Sequence, residues 1–310
     1  MSRYKPTFSI ITAVFNGEKF IFETVNSVLR HAPRDDFEYI VIDDGSTDRT
    51  NEILMSFGSK IKLVRQSNSG EANAVNLGIN MALGAYALVV SADDPLISSE
   101  LFTQSRQILD NNLQIMATYP DWYLIDEAGT VKKQVSTLEF SIEALVGLNK
   151  CIPGPGAIFR TNVANQLGGR NPKLRFGSDF EFWLRLSDLG NFQRIPMYLA
   201  QWRSHENSTS IKSRGLEMSK ERIKIIEEYL AKSFHSRRIK RMAMGNAYYS
   251  AAILRYFSPD VPHRTYLAKA FWFRKGCPEN AKIRELIYLL AIPISEFLWL
   301  KIKFFYLLKR

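Results

Sequence analysis

The chain has 310 residues, of which 46% are hydrophobic, 12% aromatic and 23% charged, and its formal net charge is +10. This is enough apolar material to bury a core in one large or two smaller domains, and it excludes a disordered chain. Two cysteines far apart, Cys151 and Cys277, exclude a disulfide framework and a cysteine-based metal site and fit a reducing cytoplasm.

The opening MSRYKPTFSIITAVFNGEKF has only a short apolar run before a turn and charges. It is expected as a first strand, Thr7–Val14, rather than a signal peptide. EKFIFETVNSVLRHA follows with helical spacing at Phe20, Ile21, Val25, Val28 and Leu29. Phe37–Asp43 predicts a strand, and DGSTDRTNEILMSFG a turn becoming a helix that ends near Gly58. Ile61–Gln66 predicts the next strand, GEANAVNLGINMALG a helix closed by Gly84, and AYALVVSA the strand after it. SSELFTQSRQILDNN predicts a helix capped by Ser98 or Ser99. Alternation with short links, and strands apolar on both faces, imply a mostly parallel α/β sheet flanked by helices. In such sheets ligands bind beyond the carboxyl ends of the strands, and these ends carry Asn16, Asp43, Asp44, Asn68, Asp93 and Asp94.

Beyond Leu113 the pattern loosens into strands and turns. KCIPGPGAIFR predicts a Gly/Pro loop entering a strand, GSDFEFWLRLSDLG a helix, and NFQRIPMYLAQWRSH a strand with a polar end. The loop glycines serve chain reversal or close approach to a ligand, and Trp183 is expected to pack inside. Past Asn207 the chain is expected to be helical, with helices at Leu216–Phe234, Arg237–Phe257, His263–Lys275, Lys282–Leu290 and Ile294–Lys309. Residues 1–210 carry 20 Lys and Arg against 23 Asp and Glu, whereas residues 211–310 carry 21 against 8. The split implies two parts with different jobs, the basic one meeting anionic lipid, nucleic acid, an anionic partner, or water alone. The last 26 residues are apolar and aromatic but interrupted by Pro293, Glu296, Lys301 and Lys303. They fall short of the roughly 20 apolar residues needed to span a bilayer, and fit an interfacial helix or a packed or dimerising one.

Two stretches pose a chemical question. Asp93 and Asp94 end an apolar strand just before Pro95. They either cap the next helix or hold a hard cation such as Mg²⁺ or Mn²⁺ that neutralises phosphate oxygens. VIDDGSTD is either an ordinary turn or a carboxylate that receives a base or ribose.

Four segments in order, FSIITAVFNGEKFIFETVNSVL, FEYIVIDDGSTDRTNEIL, VRQSNSGEANAVNLGINMALGAYALVVSADD and GSDFEFWLRL, resemble family 2 glycosyltransferases of the GT-A fold over about residues 6–210. The resemblance implies an inverting transferase that moves a sugar from a nucleotide-diphosphate donor, UDP-sugar first, to a glycan or lipid-linked hydroxyl acceptor. It implies nucleotide-sugar contacts at Thr12, Val14, Asn16, Asp43, Asp44, Asn68 and Asp93, with Asp44 receiving the base. It implies Mn²⁺ or Mg²⁺ at Asp94 and His205, and a catalytic base at Asp179. Asp179 also suits a helix cap, and His205 a polar surface loop. Three positions depart from the family pattern: Ser91 stands in place of a third carboxylate, Ser178 in place of a Glu before the base, and Val75 in place of an Arg.

The expected setting is surface-polysaccharide, lipopolysaccharide or glycolipid synthesis on the inner face of a bacterial plasma membrane. The basic C-terminal helices, 211–310, would touch the membrane, and an oligomer is compatible. A sugar nucleotidyltransferase would need a glycine-rich basic loop after the first strand, where TAVFNGEKF has one Gly and one Lys. A degenerate binding protein would have lost Asp94 or Asp179, and a nucleic-acid binder lacks a recognisable motif here.

Overall fold

The computed structural model of the chain describes residues 5–150, 153–205, 215–254 and 260–274. Cys151, Cys277 and the last two expected helices lie outside the described residues. The chain divides into two compact units, Met1–Lys212 and Ser213–Arg310.

In the first unit β1 (Phe8–Val14), α1 (Ile21–His31), β2 (Phe37–Asp43), α2 (Thr50–Met55), β3 (Lys62–Arg65), α3 (Glu71–Met81), β4 (Tyr86–Val89) and α4 (Glu100–Asn111) follow the expected alternation. β5 (Ile115–Ile125), β6 (Val131–Val135), β7 (Ile158–Arg160), α5 (Thr161–Gln166), α6 (Ser178–Ser187) and β8 (Asn191–Arg203) complete it. The sheet order is β3-β2-β1-β4-β7-β5-β6, with β8 on β5. β1 to β4 pair parallel, and β8 pairs parallel with β5. β7 is antiparallel to β4 and β5, and β6 to β5. α2 is shorter than its pattern suggested, because a 3-10 turn at Gly58–Lys60 takes up its end. α5 and a π-helical turn at Glu143–Gly147 were not expected.

The two periods explain the layering. Phe8, Ile10, Tyr39 and Val41 alternate out of the sheet onto Ile21, Val25 and Val28 of α1 and Leu101, Phe102 and Leu109 of α4. Ile40 and Ile42 point the other way, onto Ala74 of α3. There a side chain at Gly78 would put its Cβ 2.4 Å from Ile11 Cγ2, so glycine lets α3 lie close on the sheet. The parallel register puts Val14, Asp43 and Arg65 level at the carboxyl edge.

One buried ion pair fixes the second half of the sheet. Arg194 on β8 donates to Asp121 on β5 at 3.0 and 2.6 Å, and Thr137 donates to the same carboxylate at 2.8 Å. Burial raises the Asp121 carboxyl, but these donors outweigh it and hold it below its ordinary 3.8. A carboxyl depressed by folding stabilises the protein above its unfolded pKa, and that stability is lost as pH falls through the folded value. Urea midpoints of wild type should therefore drop below pH ~4, and Asp121→Asn should flatten that acid limb. Parallel limbs for both proteins would contradict the assignment.

The second unit contains α7 (Gly215–Lys232), α8 (Arg237–Ile253) and α9 (His263–Arg274), close to the expected helices. Ile223, Tyr248, Ala251, Ala252, Leu267 and Ala270 form their core. Ser236 caps α8 by accepting from the Ile239 N–H at 3.3 Å. Among the described residues no helix is long and apolar enough to cross a membrane.

Candidate active site

At the carboxyl edge, β1 and β2 end in two interlocked turns. Asn16 takes a left-handed φ of 53°, its N–H donates to Ser46 Oγ at 3.0 Å, and its Oδ1 accepts from Thr47 N at 2.8 Å. The Val14 carbonyl accepts from Asp44 N at 2.8 Å, and the Val14 side chain is buried. Thr12 does not reach this edge. Its side chain is fully buried, with Oγ1 3.0 Å from the Tyr39 hydroxyl.

The two carboxylates of β2 are used differently. Asp44 accepts from Gln66 Nε2 at 2.6 Å and from the backbone N–H of Ser69 and Gly70, both at 2.9 Å. These bonds fasten the loop that starts α3 to Asp44, the residue expected to receive the base. Asp43 is 0% exposed, and its Oδ1 accepts from Ser46 N at 2.9 Å. Its Oδ2 has no hydrogen-bond partner and only Arg65 Nε at 3.4 Å. Such an orphaned buried oxygen is costly unless something donates to it. Past the end of β2 a cleft of about 510 Å³ is lined by Gly45, Arg65, Gln66, Ser67 and Asn68. Gly45, at φ +79°, lets the chain pass where a Cβ would meet Asn68 N at 2.8 Å.

The acidic turn after β4 is built around Arg203. This side chain is 1% exposed, and its guanidinium donates to the carbonyls of Asp93 and Glu127 and to Glu23 Oε2, each at 2.8 Å. It also lies over the Phe20 ring, 4.9 Å from the centroid. Asp94 points inward, accepting from Arg203 N at 2.7 Å. Burial, reinforced by the neighbouring Asp93 charge, pushes the Asp94 carboxyl well above the usual carboxylate range. Asp93 stays half-buried, with Oδ2 2.8 Å from His205 Nε2, and the His205 ring packs on Phe20 at 4.9 Å. The expected pair was Asp94 with His205. The pair that meets is Asp93 with His205, because Asp94 is drawn into the core by the β8 backbone. Helix capping does not account for the turn either: α4 starts at Glu100 with Ser99 as its N-cap, and Ser98 Oγ accepts from Glu100 N at 3.1 Å.

Asp179 lies in the first turn of α6, whose N-cap is Gly177, so it is not the cap. Its Oδ1 accepts from Phe180 N at 2.7 Å and its side chain is half-buried. α6 is anchored by Phe180, Phe182 and Trp183, all buried, with Trp183 packed on Phe159 and Phe192. Arg185 donates to the carbonyls of Leu167 and Gly169 at 2.8 and 2.6 Å. The next residue, Arg170, exchanges two 2.7 Å bonds with Asn76 on α3. A hydrogen-bonded chain thus runs from the Asp44 loop through α3 to the helix that carries Asp179.

Arg65, Gln66, Phe20 and Arg203 were not among the expected site residues. Arg203 stood in the quoted segment WRSH, two residues before His205, but nothing in the sequence marks it as buried. Among the described residues no group of three or more His, Cys, Asp or Glu side chains could by itself hold a metal ion.

Residues 9–151 match the model of the family described as Glycosyl transferase family 2. Over these residues the chain is similar to the family 2 glycosyltransferases. A Rickettsia bellii protein named as an uncharacterized glycosyltransferase is 24% identical over 297 residues, covering 93% of this chain and 42% of that protein. A Rickettsia felis relative is matched over 37% of its length, so this chain spans about two fifths of these relatives. Among solved structures, Staphylococcus aureus TarS 1-349 in complex with UDP-GlcNAc superposes with a TM-score of 0.66 at 19% identity, covering 88% of this chain and 82% of that one. The mannosyltransferase PcManGT from Pyrobaculum calidifontis, in complex with GDP-Man and Mn²⁺, gives 0.56 at 14% identity, covering 96% and 88%. These likenesses agree with the expected GT-A-type sheet.

Proposed function

We propose that this protein is a family 2 glycosyltransferase that moves a sugar from a nucleotide-diphosphate donor to a hydroxyl acceptor by a single displacement with inversion. The observation that carries the reading is the Asp93–His205 pair, which the carboxyl end of β4 and the end of β8 bring to 2.8 Å. The solved neighbours bound to UDP-GlcNAc and to GDP-Man support a donor of this class.

The nucleobase goes to the Arg65–Asn68 cleft, with Asp43 Oδ2 as its acceptor. A carboxylate there favours a base with a ring N–H on its pairing edge. Uracil, thymine and guanine have one, whereas the corresponding ring nitrogen of cytosine and of adenine is an acceptor. UDP-, dTDP- and GDP-sugars are therefore favoured over CDP- and ADP-sugars.

A divalent cation fits the acidic turn in part. Asp93 and His205 would hold it, with the remaining positions left to diphosphate oxygens and water, as Mg²⁺ and Mn²⁺ accept. Such an ion, when bound, neutralises charge on the leaving diphosphate. Asp94 faces inward and acts by fixing the turn. Asp179 takes the proton of the acceptor hydroxyl on the face opposite the leaving group. With one base and no second nucleophile assigned, the anomeric configuration inverts.

The setting we propose is the inner face of a bacterial plasma membrane, with glycan or lipid-linked acceptors. The +13 balance of residues 211–310 supports it, since anionic lipids attract basic segments. Calorimetric titration of UDP with and without Mn²⁺ tests the metal assignment. Mn²⁺ should tighten UDP binding to wild type about tenfold, and Asp93→Asn should abolish that gain. An unchanged gain in Asp93→Asn would remove Asp93 from the site.

A further inference from the structure

Among the described residues, α7, α8 and α9 present one end that is basic, aromatic and without acid. α8 begins where α7 and α9 end, and its first turns hold both. Lys240 Nζ donates to the carbonyls of Leu230 and Ser233 at 3.1 and 2.8 Å. Arg241 donates to the carbonyls of Phe273 and Trp272 at 3.2 and 3.3 Å. Cations on the last carbonyls of two helices complement their negative ends and fix the geometry of this corner. Around it stand Phe234, fully exposed, Trp272, 66% exposed, and Phe271, 37% exposed. Lys232, Arg237 and Arg238 are exposed beside them. From Tyr229 to Arg274 the only acidic residue is Asp260, which precedes α9 and so lies at the opposite end of that helix. Glu227 and Glu228 lie further back on α7, where Glu227 accepts from Tyr248 and Glu228 pairs with Lys224.

Large aromatic side chains left in water beside cations cost the free protein and suit the boundary between headgroups and acyl chains. We propose that this helix end is the surface by which the protein docks on an anionic membrane. The aromatic residues enter the headgroup boundary, and Lys232, Arg237 and Arg238 face the lipid phosphates. The proposal rests on the membrane setting inferred above and moves its anchor. The contact starts at the α7–α8 corner and the end of α9, instead of belonging only to the last 26 residues.

The test is co-sedimentation of the full-length protein with phosphatidylcholine vesicles containing about one third phosphatidylglycerol, against pure phosphatidylcholine and a DNA duplex at equal ionic strength. Wild type should bind the anionic vesicles, and salt should weaken the binding. Arg237→Gln with Arg238→Gln should weaken it about thirtyfold, at about 1 kcal/mol per basic residue. Phe234→Ser with Trp272→Ser should weaken it about tenfold or more, through lost apolar burial. If wild type binds and both variants bind equally well, the helix end is not the anchor, while the membrane setting survives. If wild type binds no vesicle, or prefers DNA, both inferences fall.

Discussion

If Asp179 is the base as proposed, Asp179→Asn should lower turnover by about 10²–10⁴-fold, the range that one positioned general base supplies. The amide keeps the bond from Phe180 N, now 2.7 Å long, and the shape of the first turn of α6. It loses only the ability to take a proton. The helix stays in place because Phe182 and Trp183 are buried and Arg185 ties it to Leu167 and Gly169. Donor affinity should therefore remain within a few-fold of wild type, since Asp179 touches neither the Arg65–Asn68 cleft nor the Asp93–His205 pair in the hydrogen bonds described. Steady-state rates with calorimetric donor binding separate the two effects. Turnover like wild type would remove Asp179 as the base, and a loss of donor binding equal to the loss of rate would make it a binding residue.

Arg203→Met destabilises the protein by about 3–5 kcal/mol, the cost of removing one partner from a buried ionic network. The lower end is expected, because Glu23 is half exposed and water screens its share. The larger part comes from the carbonyls of Asp93 and Glu127, which lose a charged donor, and from the acidic turn, which loses its nearest cation. Arg203→Lys should recover only a fraction, since an ammonium cannot reproduce three forked contacts and the stacking on Phe20. Urea unfolding of the three proteins checks this. A wild-type midpoint for Arg203→Met would mean that the turn holds without the guanidinium.

The sheet was legible because its strands are short, apolar on both faces and separated by helical periods, so Phe37–Asp43 could be bounded to the residue. The short α5 and the π-helical turn carry too few residues for a period to show. Within the site, the sequence placed carboxylates at the correct strand ends but not their orientation. Asp43 and Asp44 are neighbours, and the difference between them comes from donors at Ser69 and Gly70, some 25 positions on. Asp94 turns inward because of a backbone N–H on Arg203, 109 residues away. Thr12 shows the same limit, since in a strand buried on both faces no pattern tells which residue meets a tyrosine. Long-range hydrogen bonds made these assignments, and spacing carries no trace of them.

The central claim is that a nucleotide-diphosphate sugar is cleaved at this sheet edge. It is tested most directly by nucleotide release from a panel of UDP-, GDP-, dTDP-, CDP- and ADP-sugars, with and without Mn²⁺. Release from at least one UDP-, GDP- or dTDP-sugar, lost in Asp179→Asn, is the expected result. Release confined to CDP- or ADP-sugars, or release that persists undiminished in Asp179→Asn, would contradict it.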